Sequence, residues 1–154
     1  MSASPTPIRA APPTPMQFAT WLDLHTRNRD TDQFGHVNHA AMASLFEESR
    51  IALVFAPELA AETRGIDLLV ASLRMDFHKE LRAPGVVRVG AKVTRIGSSS
   101  LEIAQGLFAD GVCHASAHAV CVLFGSETRR PVPASDALRG ALTRDEKTGD
   151  NDLG

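Results

Sequence analysis

The chain is predicted to fold as an α+β domain in which an antiparallel sheet wraps one long helix. Three observations lead there. Apolar residues recur at helical spacing just past Asn38, segments of alternating polarity follow from Leu68 to Phe124, and the turn signals Gly97-Ser98-Ser99 and Asp110-Gly111 join the last three of these. A helix with one apolar stripe must cover it, and a sheet wrapped around the helix does so efficiently. At 154 residues the chain suits a single domain with a full core.

Taken in order, residues 1–17 carry Pro5, Pro7, Pro12, Pro13 and Pro15 with no apolar run, and are expected to be a disordered tail without the makings of a secretion signal. The domain is expected over 18–143. From Thr20 to Thr26, Leu22 and Leu24 alternate with Trp21, Asp23 and His25, a strand with unlike faces. An acidic loop follows. Met42, Leu45, Phe46, the small Ser49 and Leu53 then share one helical face, and the helix should stop before Pro57. Asn38 is the expected N-cap, although Ala41 stands where a capping box wants Glu or Gln. The strand Leu68 to Phe77 is expected to place Leu69, Ala71, Leu73, Met75 and Phe77 on one face and Ser72, Arg74 and Asp76 on the other. Val87 to Arg95 alternates Val87, Val89, Ala91 and Val93 with polar or small residues and should form a hairpin with Ser100 to Ala109. Asp110-Gly111 should turn that strand into Val112 to Phe124. A proline-containing exit, Arg129 to Ser135, leads to a short closing helix over Asp136 to Leu142, and residues 144–154 are expected to be a disordered polar tail.

Composition narrows the function. Lys plus Arg number 16 against 18 Asp plus Glu, a net charge of −2, which argues against nucleic acid or a membrane surface as partner. No apolar run reaches the length of a membrane span. Cys113 and Cys121 fall in one expected strand, about 26 Å apart when extended and so unable to pair within it. They are expected to be free thiols on the face opposite His114 and His118. With no zinc-type Cys/His spacing, the reading is a reducing compartment, the cytoplasm.

The chemistry concentrates between Arg29 and Ala40, where Asp30, Asp32, Gly35, His36, Asn38 and His39 crowd ahead of the helix. A helix start presents unpaired N–H groups and a partial positive charge, so a carboxylate beside it can attack a carbonyl or deprotonate water while those amides hold the oxyanion. Asp also serves as an ordinary turn or cap residue in such places. Context favours Asp32, because Gly35 lets the chain turn sharply toward the helix. Asp30, if near, would raise its pKa by repulsion. Asp30, Asp32, His36 and His39 also permit a metal reading, but His-x-x-His without the Glu of zinc hydrolases is weak, and no metal is expected. No Gly-x-Ser-x-Gly elbow and no phosphate loop of Walker or Rossmann spacing is present. Gly97-Ser98-Ser99-Ser100 reads as a turn, or as a contact for a ligand's phosphate or amide. Glu47, Glu48 and Arg50 read as a solvated helix face or a dimer contact.

The run Arg29 to His39, Arg-Asp-Thr-Asp-Gln-Phe-Gly-His-Val-Asn-His, followed by Phe46-Glu47-Glu48-Ser49-Arg50, resembles the 4-hydroxybenzoyl-CoA thioesterase family of hotdog-fold acyl-CoA thioesterases. Val93 to Ser100 resembles the family's strand-turn-strand segment, and the likeness extends over about Trp21 to Leu142. It implies the hotdog fold, dimers or tetramers with sites between subunits, and hydrolysis of a fatty or aromatic acyl-CoA without metal or bound cofactor. It puts the nucleophile or general base on Asp32 and the oxyanion amides around Asn38 and His39. Gly35, His36, Ser98, Ser99 and Ser100 are the expected substrate contacts. Family members often follow Gly-His-Val-Asn with a second Asn and then a Tyr. Here His39 and Met42 stand instead and the chain has no Tyr, which excludes any mechanism that needs a phenol. The phosphates of CoA need cations, for which Arg95, Lys79, Arg82, Arg129 and Arg130 are candidates, each equally readable as ordinary surface charge. Two rival functions stay open: an acyl-thioester hydratase or dehydratase of the same fold, and a non-catalytic acyl-CoA binding module.

Overall fold

A computed structural model describes residues 9–144. Of the tails expected over 1–17 and 144–154, residues 1–8 and 145–154 lie outside the described residues. Residues 9–17 run up to the domain with one 3-10 turn at Pro15–Gln17, and Arg9 Nη1 donates to the carbonyl of Phe77 at 2.7 Å.

The described residues form one antiparallel sheet in the order β1-β3-β4-β5-β2, built from β1 (Thr20–Thr26), β2 (Ile66–Phe77), β3 (Gly85–Ile96), β4 (Ser100–Ala109) and β5 (Val112–Gly125). Helix α1 (His39–Val54) packs on the inner face, over β3 and β1, and α2 (Asp136–Arg144) closes one end. The helix begins where the sequence expects, with Asn38 Oδ1 accepting from the amide of Ala41 at 2.8 Å, and it stops short of Pro57 because proline cannot continue it. The β4–β5 hairpin turns through Asp110 (φ 50) and Gly111 (φ 74), the positive pair that a two-residue turn needs to match strand twist.

Two apolar clusters fill the space between helix and sheet. Met42, Leu45, Phe46, Val87, Val89 and Leu107 make the one at the helix start. Leu53, Val54, Leu101, Ile103, Leu123 and Leu138 make the one at the helix end. Each such side chain, once buried, contributes about 1.5–3 kcal/mol. Between the clusters sits a polar set, contrary to the solvated face expected for Arg50. That residue is buried, and its Nη1 donates to Gln105 Oε1 at 2.9 Å. Gln105 Nε2 in turn donates to the Phe46 carbonyl at 2.7 Å and to Ser49 Oγ at 2.8 Å. The 3.6-residue period turns position 50 inward beside 46, 49 and 53, and Gln105 on the facing strand supplies the acceptor.

Two β-bulges correct the expected faces. In β2 the register shifts between Val70 and Ser72, so Ile66, Leu68 and Val70 share the inner face with Leu73, Met75 and Phe77, whereas Leu69, opposite Val122, turns outward. An extra residue in one strand flips all that follows. In β5 the shift beside His114 separates the cysteines: Cys121 lies in the helix-end cluster, whereas Cys113 packs outside the sheet with Phe18 and Phe108. Both are free thiols, but they do not share a face opposite His114 and His118.

Candidate active site

The loop between β1 and α1 is built by its own short side chains. Asp30 Oδ2 accepts from the Arg27 amide at 2.7 Å, closing a 3-10 turn at Asn28–Asp30. Thr31 bridges Val37, the Asp32 amide donates to the His36 carbonyl at 2.8 Å, and the Gly35 amide donates to the Asp32 carbonyl at 3.1 Å. Gly35 adopts φ 82, the left-handed conformation that lets the chain reverse with little strain only at glycine.

Within this turn Asp32 Oδ1 accepts from the amides of Phe34 at 2.8 Å and His36 at 3.2 Å. Its Oδ2 has no hydrogen-bond donor among the described residues. One oxygen thus fixes the carboxylate while the other is left for chemistry. The amide of His36 above all, with that of Phe34, holds the carboxyl below its ordinary value. The rise anticipated from Asp30 does not occur, because Asp30 is paired with Arg27 and is itself held low by the Arg27 amide.

At the helix start, Asn38 links the two segments. Its amide and its Nδ2 both donate to the Asp30 carbonyl, at 2.9 and 3.0 Å, while its Oδ1 caps the helix. The Asn38 N–H is therefore committed to structure and cannot serve as an oxyanion donor. The amides of His39 and Ala40 have no acceptor among the described residues, and they are the ones available to a polarised carbonyl oxygen.

A second loop, 78–84, supports the first; the sequence offers its Lys79 and Arg82 only as candidate cations for CoA phosphates and gives His78, Glu80 and Leu81 no part in the site. The Val37 amide donates to the Leu81 carbonyl at 2.7 Å, and His36 Nε2 lies 3.1 Å from Glu80 Oε2. His78 Nε2 is 2.8 Å from Ser116 Oγ, and burial holds this imidazole below its ordinary pKa. A groove of about 320 Å³ opens here, lined by His36, Val37, Met42, Phe77, His78 and Leu81 among others. Asp32 is exposed and does not itself line the groove. No local sequence signal marks Glu80 or His78, since their proximity to the loop depends on contacts more than 40 residues apart.

The structure brings Asp32, Gly35, His36, Asn38 and His39 together but leaves Ser98, Ser99 and Ser100 elsewhere in the same subunit. Those serines occupy the β3–β4 turn beside α2, where the Ser98 carbonyl accepts from Ala134 and the Ser99 carbonyl from Leu123. That turn belongs to the helix-end cluster. Among the described residues no group of three or more His, Cys, Asp or Glu side chains is arranged to hold a metal ion.

Residues 26–142 match the family model of the thioesterase-like superfamily. YsmA of Bacillus subtilis, an uncharacterized protein, is 29% identical over 86 residues, 56% of this chain and 58% of that protein, so the match spans less than two thirds of the relative's length. A thioesterase from Thermus thermophilus, solved with coenzyme A and zinc, is 26% identical and superimposes with a TM-score of 0.72 over 85% of this chain and 96% of that one. A predicted thioesterase from Bacillus stearothermophilus is 28% identical, with a TM-score of 0.70 over 81% and 94% of the two chains. The curved antiparallel sheet around α1 is the hotdog fold these structures share.

Proposed function

Because the chain belongs to the thioesterase-like superfamily, we propose that it hydrolyses an acyl-CoA thioester to the free acid and CoA, with Asp32 at the centre of the reaction and residues 18–143 as the functional domain. The observation that carries this reading is the Asp32 carboxylate, ionised and held by one oxygen, on a loop that leads straight into the open amides of His39 and Ala40. Two routes use it equally. Its Oδ2 can attack the thioester carbon, expelling CoA thiolate and leaving an acyl anhydride that water then cleaves. Alternatively it takes a proton from water, whose oxygen attacks the same carbon. In both, negative charge develops on the carbonyl oxygen, and donors preset at a helix start stabilise that charge more than they stabilise the ground state. Gly35 and His36 would line the approach, and His39 is placed to assist proton transfer or hold the acyl group.

A second copy of the chain would complete the site. Strand β2 lies at the sheet edge, and its inner face leaves Val70 46%, Leu73 37% and Phe77 41% exposed because α1 sits over β3 and β1 instead. Pairing two β2 edges antiparallel about their midpoint would cover that strip. It would also bring the Phe77 end of one subunit, with its Asp32 loop, toward the other subunit's Ser98-Ser99-Ser100 turn, since Ser100 pairs with Val122 and Val122 with Leu69 near the opposite end of β2. The serines then become contacts for substrate held by the partner. A homodimer is the smallest assembly that does this, and a homotetramer would contain it. No helix among the described residues is long and apolar enough to cross a membrane. Free Cys113 and Cys121 suit the cytoplasm proposed as its place of action.

The test is release of free thiol from a panel of aliphatic and aromatic acyl-CoAs by the parent and by Asp32→Ala. Turnover by the parent that disappears in the variant is expected. Loss of enoyl-CoA absorbance in place of thiol release would identify a hydratase. Tight CoA-ester binding without turnover, indifferent to Asp32, would make the chain a binding module.

A further inference from the structure

The prolines of residues 9–17 predict a tail, yet in the structure this segment is a strap laid across the outer face of the sheet, with its first residue against the wall of the candidate active site. We infer that Arg9 is a positioning residue for that site: it holds the end of β2, and through it the groove wall formed by Phe77 and His78. The inference rests on the acyl-CoA reading above, in which the groove beside the Asp32 loop receives the substrate.

The strap has a fixed root. Gly90 and Gly106 face each other across β3 and β4 and alternate with Val89 and Leu107 of the core, so both turn outward. Phe18 fills the notch they leave: a Cβ at Gly90 would stand 2.6 Å from its ring, and one at Gly106 3.0 Å. Edge-on contacts with Trp21 and Phe108, at centroid distances of 5.8 and 6.1 Å, enclose that ring, and Trp21 Nε1 donates to the Phe18 carbonyl at 3.2 Å. Just ahead, the Thr14 amide donates to Gln17 Oε1 at 2.8 Å and closes the turn at Pro15–Gln17. Pro12 and Pro13 restrict φ beyond it, so the strap gives up little freedom on ordering.

The far end is held by one specific contact. Strand β2 lies two strands beyond β4, about 10 Å at the usual spacing, whereas nine residues can reach about 30 Å. Chain length therefore does not force Arg9 onto β2; its Nη1 donates to the Phe77 carbonyl at 2.7 Å, a charge-assisted bond about twice as strong as a neutral one. Phe77 is the last residue of β2. Past it, the amides of His78 and Lys79 both donate to the His114 carbonyl, at 2.8 and 3.1 Å, and the chain leaves the ladder for the loop whose Leu81 carbonyl braces Val37. Phe77 and His78 line the groove with His36, Val37 and Met42, so a shift at this strand end moves the wall that faces the Asp32 loop. The guanidinium also acts on charge. Ser116 Oγ lies 2.8 Å from His78 Nε2, and Arg9 and Asp76 are the charged neighbours of that imidazole. Burial does most to keep His78 neutral, Arg9 adds to it, and Asp76 opposes.

The experiment uses the full chain with Arg9→Gln and Arg9→Lys; Arg9 is exposed, so both variants are expected to fold with the parent's Tm. Titration of the His78 imidazole by NMR reads the contact without turnover. Its midpoint is expected to move up in Arg9→Gln, because a cation that opposes protonation is gone, and to stay near the parent's in Arg9→Lys. Equal midpoints in all three proteins overturn the inference. With the acyl-CoA that the parent turns over best, kcat/KM for Arg9→Gln is expected to fall about fivefold. The fall should be carried by KM, since a displaced wall weakens substrate and transition state alike, and Arg9→Lys should recover most of it. Parent kinetics in Arg9→Gln, a loss carried by kcat, or a loss that Arg9→Lys does not recover overturns the positioning role. A parent that releases no thiol from any thioester refutes the hydrolase reading, and the titration alone then decides for or against Arg9.

Discussion

The polar set that divides the core is the place where one substitution should have its largest structural effect. Gln105, 1% exposed, accepts from the buried Arg50 guanidinium and donates to Phe46 and Ser49, and Arg50, 3% exposed, has no carboxylate partner among the described residues. Gln105→Leu keeps the volume but removes the acceptor. Ser49 can turn its hydroxyl to a helix carbonyl, so most of the penalty falls on the guanidinium. A buried charged group left without its hydrogen bond costs about 2–3 kcal/mol. For a chain of this length that corresponds to a fall in Tm of about 6–9 °C. Removing the charge as well, in Gln105→Leu/Arg50→Met, should recover at least about 1 kcal/mol, because the two apolar clusters can then join. Urea unfolding of the four members of the cycle, with equal m-values, gives the coupling directly. A single variant as stable as the parent, or a double variant no better than the single, would refute the claim that Gln105 carries the buried charge.

Other consequences can be measured independently. Asn38→Ala removes both the cap on Ala41 and the bond to the Asp30 carbonyl, and should cost about 1–2 kcal/mol by urea unfolding; Asn38→Asp, which keeps the acceptor alone, should fall between. Because the amides of His36 and Phe34 depress the Asp32 pKa from an ordinary 3.8, the carboxylate is ionised at neutral pH and the interaction is lost only as pH falls through the lowered value. The acid limb of the kcat/KM profile should therefore lie below the usual carboxylate range, and a limb at distinctly higher pH would show that the group is not held as described. Burial pushes the Cys113 thiol up to about 11 and raises Cys121 as well, so a disulfide reagent at neutral pH should label both at the rate of unfolding; rapid labelling of the native protein would contradict their packing.

The sequence made the fold legible wherever a local rule had no competitor. The helix followed from the spacing of Met42, Leu45, Phe46 and Leu53 and from the Asn38 cap. The last hairpin followed from Asp110-Gly111, which few other conformations suit. Faces were legible only as far as the first bulge: alternation past Val70 or His114 assumes one residue opposite one, and nothing in either run announces an extra residue. At the site, the Asp32 loop could be found from its own composition. The commitment of the Asn38 amide, the support from Glu80 and Leu81, and the separation of Ser98-Ser99-Ser100 from Asp32 all depend on tertiary contacts that no spacing encodes.

Everything proposed about function converges on the free oxygen of one carboxylate. Asp32→Asn is the substitution that isolates it, because the amide oxygen still accepts from Phe34 and His36 and the loop keeps its shape, while the negative charge is gone. With the acyl-CoA that the parent turns over best, kcat for Asp32→Asn should fall by about a hundredfold to ten-thousandfold, at a Tm close to the parent's. A folded Asp32→Asn protein that releases thiol at the parent's rate would contradict the account.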